Sequence, residues 1–201
     1  MKRVLLAASL LLVASSAFAF NPKAQSPVAS DSPRVGVLRM SEQYEHAEGS
    51  VARMVVRYLR DELRSRGIDA YDTGLTYEEV ANGKGDQADY YVEIIGTDAD
   101  SISYAGLDVG SWDAGVSVDL VVSHVAGELR LYDGSTGKLV ISENLKKRKH
   151  TLMPTSVYLG GSRVFAALTV PFVQHAQMKS VTRSAARDAA QVVVAALQPH
   201  E

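Results

Sequence analysis

Asp98, Asp100, Asp108 and Asp113 fall in one stretch with Gly106 and Gly110. Carboxylates grouped on a flexible loop can hold Ca²⁺ through oxygen ligands. They can also act as general acid and base once a neighbour shifts a pKa. The spacing matches no EF-hand, and a solvated loop explains the same composition. Trp112, the single tryptophan, sits among them. Exposed beside glycines it would anchor a partner; tucked under a sheet it would be core. The histidines are His46, His124, His150, His175 and His200, with no pair at i, i+3 or i, i+4. No helical zinc site is therefore expected, and His124 reads as a histidine of an alternating strand.

Other motifs fail on inspection. Gly134-Ser135-Thr136-Gly137-Lys138 looks like a phosphate loop, but Tyr132 stands where a Walker A needs glycine and Leu139 where it needs Ser or Thr. It reads as a plain hairpin turn. Ser135 and Lys138 match Ser-x-x-Lys without the partner motifs of penicillin-recognising enzymes. Gly160-Gly161-Ser162-Arg163 misses the last glycine of a nucleophile elbow. The chain has no cysteine, which excludes thiol catalysis, Cys-bound zinc and lipidation on a cysteine. No catalytic residue, cofactor or metal is expected.

The elements that would carry these residues begin after a leader. Lys2 and Arg3, an apolar run from Val4 to Val13, and small residues at Ala17 and Ala19 read as a secretory signal peptide cleaved after Ala19. The apolar run is about half the ~20 residues a spanning helix needs. The expected location is periplasmic or secreted, with no lipid anchor. Residues 20–33 carry Pro22, Pro27 and Pro33 among polar residues and read as a flexible linker. One globular domain is expected over 34–198. With a formal net charge of −2, which cleavage makes more negative, no nucleic-acid partner is expected.

Residues 34–40 read as a buried strand. Val51, Met54, Val55, Tyr58, Leu59 and Leu63 then recur at helical spacing up to Gly67. Arg53, Arg57, Arg60 and Arg64 take other faces and read as solvated. Residues 68–71 suggest a short strand, 76–81 a turn or two of helix, and 88–96 a strong strand. The polar, Gly-rich 98–115 reads as a loop or ragged edge. Val116, Val118, Leu120 and Val122 alternate cleanly; the pattern breaks near Ala126-Gly127, suggesting a bulge or a register change, and resumes at Leu129 and Leu131. Residues 138–145 return as the second arm of a hairpin. The basic run Lys146 to His150 could meet phosphates, headgroups or an acidic partner, or simply protect an edge strand. Residues 155–176 fit helix and strand templates in part; a buried strand-loop-helix is favoured over an exposed insertion. A helix over 178–197 ends the domain.

Three stretches carry a resemblance: Ala88-Asp89-Tyr90-Tyr91-Val92, the hairpin Leu129 to Asp133 with Thr136 to Val140, and Ala185 to Ala190. They resemble envelope proteins of the CsgG, LpoB and TolB amino-terminal-domain type, over about residues 34–198. The resemblance implies fold and compartment, and no functional residue transfers. The expected fold is α/β, a single-domain two-layer sandwich: a mixed sheet of four or five strands, a long antiparallel hairpin and two main helices. The expected function is a non-enzymatic accessory protein binding a protein or other cell-envelope component. Its contact residues would be Tyr104, Trp112, Tyr158, Phe165 and Phe172, with peripheral membrane contact open. The alternatives are a secreted hydrolase using the 98–113 loop, favoured by a pocket joining Asp108 or Asp113 to His124, and a membrane-associating secretion subunit using 155–176. Terminal sequencing of the exported protein should begin at Phe20; a retained Met1 would contradict the leader.

Overall fold

The computed structural model describes residues 32–42, 49–111, 114–159, 162–165 and 170–198. The leader and nearly all of the linker lie outside them, as do Trp112 and Asp113. The strands are β1 (Arg34–Val37), β2 (Ser41–Glu42), β3 (Asp69–Asp72), β4 (Tyr90–Gly110), β5 (Ala114–Asp133), β6 (Leu139–Leu159) and β7 (Ser162–Phe165). The helices are α1 (Gly49–Ser65), α2 (Tyr77–Ala81) and α3 (Val170–Leu197). One mixed sheet runs β3-β1-β4-β5-β6-β7, with β2 also on β4. β1 pairs in parallel with β3 and β4; β4 through β7 are antiparallel. The α/β sandwich of the sequence reading stands, with seven strands among the described residues in place of four or five.

The packing follows from the apolar spacing. Val51, Val55, Leu59 and Leu63 lie four apart on α1 and are all buried. They meet Val35 and Val37 of β1, Val92 and Ile94 of β4, and Leu129 and Leu131 of β5. α3 adds Ala186, Ala189, Ala190 and Val193 to the same cluster. Its alanines give the helix a low profile, so it lies close against the sheet and α1. Gly67, at φ +85, turns the chain out of α1, where Ile68 N donates to Leu63 O at 3.2 Å. Across the sheet, α2 covers a smaller cluster, in which the rings of Tyr77 and Tyr132 stack at 4.1 Å.

Two sequence expectations fail on extent. Residues 98–110 are strand, the second half of β4, paired with β5 as far as Gly110 with Gly115. Asp, Ser and Gly lower strand propensity there, but twenty residues of β5 supply a template that overrides it. The final helix begins at Val170, since Pro171 falls in its first turn, where no N–H is needed. Residues 155–176 therefore divide among the end of β6, β7 and the start of α3. Where exposure is described the segment is mixed: Ser156 is buried and Val173 half-buried, while Val157 is 44% and Phe172 75% exposed. The break at Ala126-Gly127 is a bulge, carried by the facing strand: Gly96 pairs with Gly127 and Asp98 with Ala126, leaving Thr97 as the extra residue.

The β5–β6 turn is built by one carboxylate. Asp133 Oδ1 accepts from the backbone N–H of Ser135 (3.0 Å) and Thr136 (2.7 Å) and from both hydroxyls. Hydrogen bonds from Ser135, then Thr136, lower its pKa to about 2. Asp133's folded pKa lies below its unfolded value, so its contribution is complete above about pH 4. That contribution fades as pH falls through about 2. The stability difference between the wild type and Asp133→Asn, read from urea midpoints across this range, should shrink in that window. A difference independent of pH would contradict the turn's charge dependence.

Candidate functional site

Past Asp98, β4 pairs only with β5 among the described residues, and the sheet runs on away from β1, β2 and β3. The paired stretch from Asp98 to Gly110 is about 40 Å long at ~3.3 Å per residue. Residues in register share a face, so pairing assigns each row to the helix side or the outer side.

In the near half the assignment is conventional. Val92-Leu131-Ile141 and Gly96-Gly127-Leu145 face the helices. Glu93-Arg130-Ser142 and Asp100-His124-Arg148 face outward. In the far half it inverts. Ser101-Ser123-Lys149 and Asp108-Ser117-Ser156 lie on the helix side. Ile102-Val122-His150, Tyr104-Leu120-Leu152, Val118-Pro154 and Val109-Val116-Val157 lie on the outer side. β5 has no extra residue of its own at the crossover; Val121 and Val122 are adjacent, both buried, and hand the apolar character from odd to even positions. The alternation is thus continuous, and its phase changes.

The helix side of the far half is polar because α3 meets it with polar groups. Ser101 and Ser123 share a 2.7 Å hydrogen bond, Ser123 Oγ donates to Gln177 Oε1 at 2.9 Å, and Gln177 Nε2 donates to Thr151 Oγ1. Gln174 Nε2 donates to Ser101 O at 3.2 Å. Gln177 and Ser123 are buried and satisfied, which offsets the cost of removing them from water. Lys147 pairs with Asp188 at 2.5 Å, and Lys149 Nζ donates to Ser180 at 3.1 Å. Two of the five residues of the basic run therefore tie β6 to α3, while Lys146, Arg148 and His150 stand exposed on the other face.

Nothing described covers the outer apolar face. On it Ile102, Tyr104, Val109, Leu152 and Val157 are exposed, Leu152 at 71%, while in the central strand Val122 is buried and Val116, Val118 and Leu120 are half-buried. A bulge shapes it: Ala105 and Gly106 oppose Asp119, whose carboxylate accepts the Gly106 N–H at 3.0 Å. A Cβ at Gly106 would lie 1.1 Å from Val118 O, so only glycine fits.

Of the sequence-predicted contact residues, Tyr104 lies on this face and Phe172 is exposed at the start of α3. Tyr158 and Phe165 are placed as strand positions, in register with Gly115 and Ser156. Ile102 and Leu152 were not singled out; the phase change in β5 is the signal that finds them. Among the described residues Asp98, Asp100 and Asp108 do not assemble, and Asp113 lies outside them. Asp98 meets His124 Nε2 at 2.6 Å, while Asp108 binds Ser117 near the far tip. The Asp108 and Asp100 rows stand roughly 25 Å apart by strand rise. No group of three metal-ligating side chains occurs among the described residues. Asp98 and His124 sit on an open strand face, and Ser101 and Ser123 point to the other side.

No family model matches the sequence, and no curated protein matches it. Similar solved structures include the PelC dodecamer from Paraburkholderia phytofirmans, 15% identical over 89% of this chain and 96% of that one, TM-score 0.43. Lipoprotein GNA1162 from Neisseria meningitidis is 14% identical over 74% and 97%, TM-score 0.41. Rare lipoprotein B from Shewanella oneidensis is 12% identical over 80% and 94%, TM-score 0.41. At such scores these likenesses carry no argument about function.

Adjacent residues on β6 test the inversion. Met153, buried on the helix side, should cost about 2–5 kcal/mol when cut to alanine. Leu152→Ala should cost no more than about 0.5 kcal/mol. Equal losses in urea denaturation would contradict the face assignment.

Proposed function

We propose that this chain is an exported, non-enzymatic accessory protein of the cell envelope, working through the outer face of its far sheet. The observation that carries the reading is the inversion: apolar rows turn away from the helix layer while polar rows are spent holding α3. A monomer gains nothing from exposing Leu152 and Tyr104, and such a patch fits an interaction surface. Compartment rests on the leader and on the CsgG- and LpoB-type resemblance of the 88–92 strand and the 129–140 hairpin. A hydrolase is the weaker alternative, because Asp98 and His124 sit on an open strand face with the nearby Ser101 and Ser123 on the opposite side.

A second reading names the component as a lipid bilayer, favoured by strand length. The alternating segments 102–110 and 114–122 approach the 9–11 residues with which tilted strands cross hydrocarbon. Their other face carries Ser101, Ser103, Asp108, Ser117 and Asp119. Exposed Lys146 and Arg148 stand beside the apolar band, where headgroups would lie. On this reading the membrane contact falls on 102–122 and 152–157 instead of 155–176. Among the described residues no helix is long and apolar enough to cross a membrane.

Flotation of the mature protein with phosphatidylethanolamine–phosphatidylglycerol vesicles tests both readings. Wild type should float, and Tyr104→Asp with Leu152→Asp should not, with circular dichroism unchanged. If wild type stays in solution, in-cell crosslinking to one defined envelope protein, lost in the same double variant, would support the accessory reading alone. Neither vesicle nor protein association at this face would overturn both.

A further inference from the structure

α1 carries a second pattern that its helical reading does not use. Arg53, Arg57 and Arg60 follow at i, i+4 and i+7, one stripe down the helix. Arg53 and Arg57 are exposed, as a solvated face requires, and the stripe also borders a concavity. It forms one wall of a 790 Å³ cleft whose other wall is Arg39, just beyond β1, and the chain leaving β3 at Asp72. Buried Met40 and Val56 supply an apolar floor.

Four arginines therefore line one concave site. Arg60 is held by Asp61, with Nε to Oδ1 at 2.9 Å. Among the described lining residues Asp72 is the one acid, and its Oδ1 accepts the Gly74 N–H at 3.0 Å. Among the described residues no ion pair engages Arg39, Arg53 or Arg57; Arg39 exerts only a minor pull on the Glu79 carboxylate. Like charges brought together without counter-charges repel, and a cleft with apolar walls concentrates their field. The cleft also lies beyond the carboxyl ends of parallel strands β1 and β3, where open α/β sheets place ligands.

We propose that this cleft binds a phosphate-bearing ligand, with the phosphate on Arg39, Arg53 and Arg57 and its less polar body on Met40 and Val56. Among the described residues these three guanidiniums form no ion pair, Arg57 lying over the Tyr58 ring at 5.2 Å, and together they match an oxyanion with several oxygens and up to two charges. The phosphate could belong to a soluble ester or to a lipid headgroup. The site is separate from the outer sheet face, and neither depends on the other.

Calorimetry of the mature protein with inorganic pyrophosphate at low salt tests the site. Wild type should bind, and Arg53→Gln with Arg57→Gln should weaken binding at least tenfold with unchanged thermal melting. Lys138→Gln, an exposed cation outside the cleft, should leave binding intact. Cosedimentation with phosphatidylglycerol vesicles identifies the source. Dependence on the two arginines in the Leu152→Asp background assigns a headgroup; pyrophosphate binding with no such dependence assigns a soluble ester. No pyrophosphate binding at 10 mM, or binding indifferent to the arginine pair, would overturn the proposal.

Discussion

A single phase change in one strand organises the molecule. Along β5, apolar residues occupy odd positions near Leu129 and Leu131 and even positions from Val122 to Val116, with two adjacent valines between. Side chains in a strand alternate strictly, so the two runs must face opposite ways as long as the strand adds no residue. The near run has α1 and α3 to cover it. The far run faces away from both, and no described element lies over it. Everything distinctive about the fold follows from satisfying these two halves separately.

α3 makes the arrangement workable. Its carboxyl-terminal half is an alanine and valine face for the near sheet, and its amino-terminal half carries Gln174 and Gln177 for the far one. One helix thus meets an apolar surface and a polar surface in succession. Gln177 is central, since it joins Ser123, Val121 and Thr151 from two strands. The polar network fixes which side of the far sheet the helix lies on, and so which side stays uncovered.

Much of this was legible in the sequence. The spacing of Val51, Val55, Leu59 and Leu63 revealed α1, and Asp133 to Gly137 revealed the turn, because each is a local pattern with a local cause. The irregularity opposite Gly127 was visible too, although reading it as a break in β5 hid the phase change on either side. Residues 98–110 looked like a loop because Ser and Asp alternate with Ile102, Tyr104 and Val109. Their strand state comes from pairing with β5, a non-local contact that propensity does not report. The arginine cleft was missed for the same reason: helical spacing aligned Arg53 and Arg57, but only the fold brings Arg39 and the end of β3 opposite them.

The central claim is that the outer apolar face is where the protein meets its envelope component. The chain has no cysteine, so a single introduced one carries a unique label. An environment-sensitive fluorophore would be placed in turn at Ile102, Ser103, Tyr104, Leu152 and Thr151, and its emission read with and without native envelope membranes. A blue shift at 102, 104 and 152 with none at 103 and 151 is the predicted result. A shift at none of the outer positions, or the same shift on both faces, would contradict it.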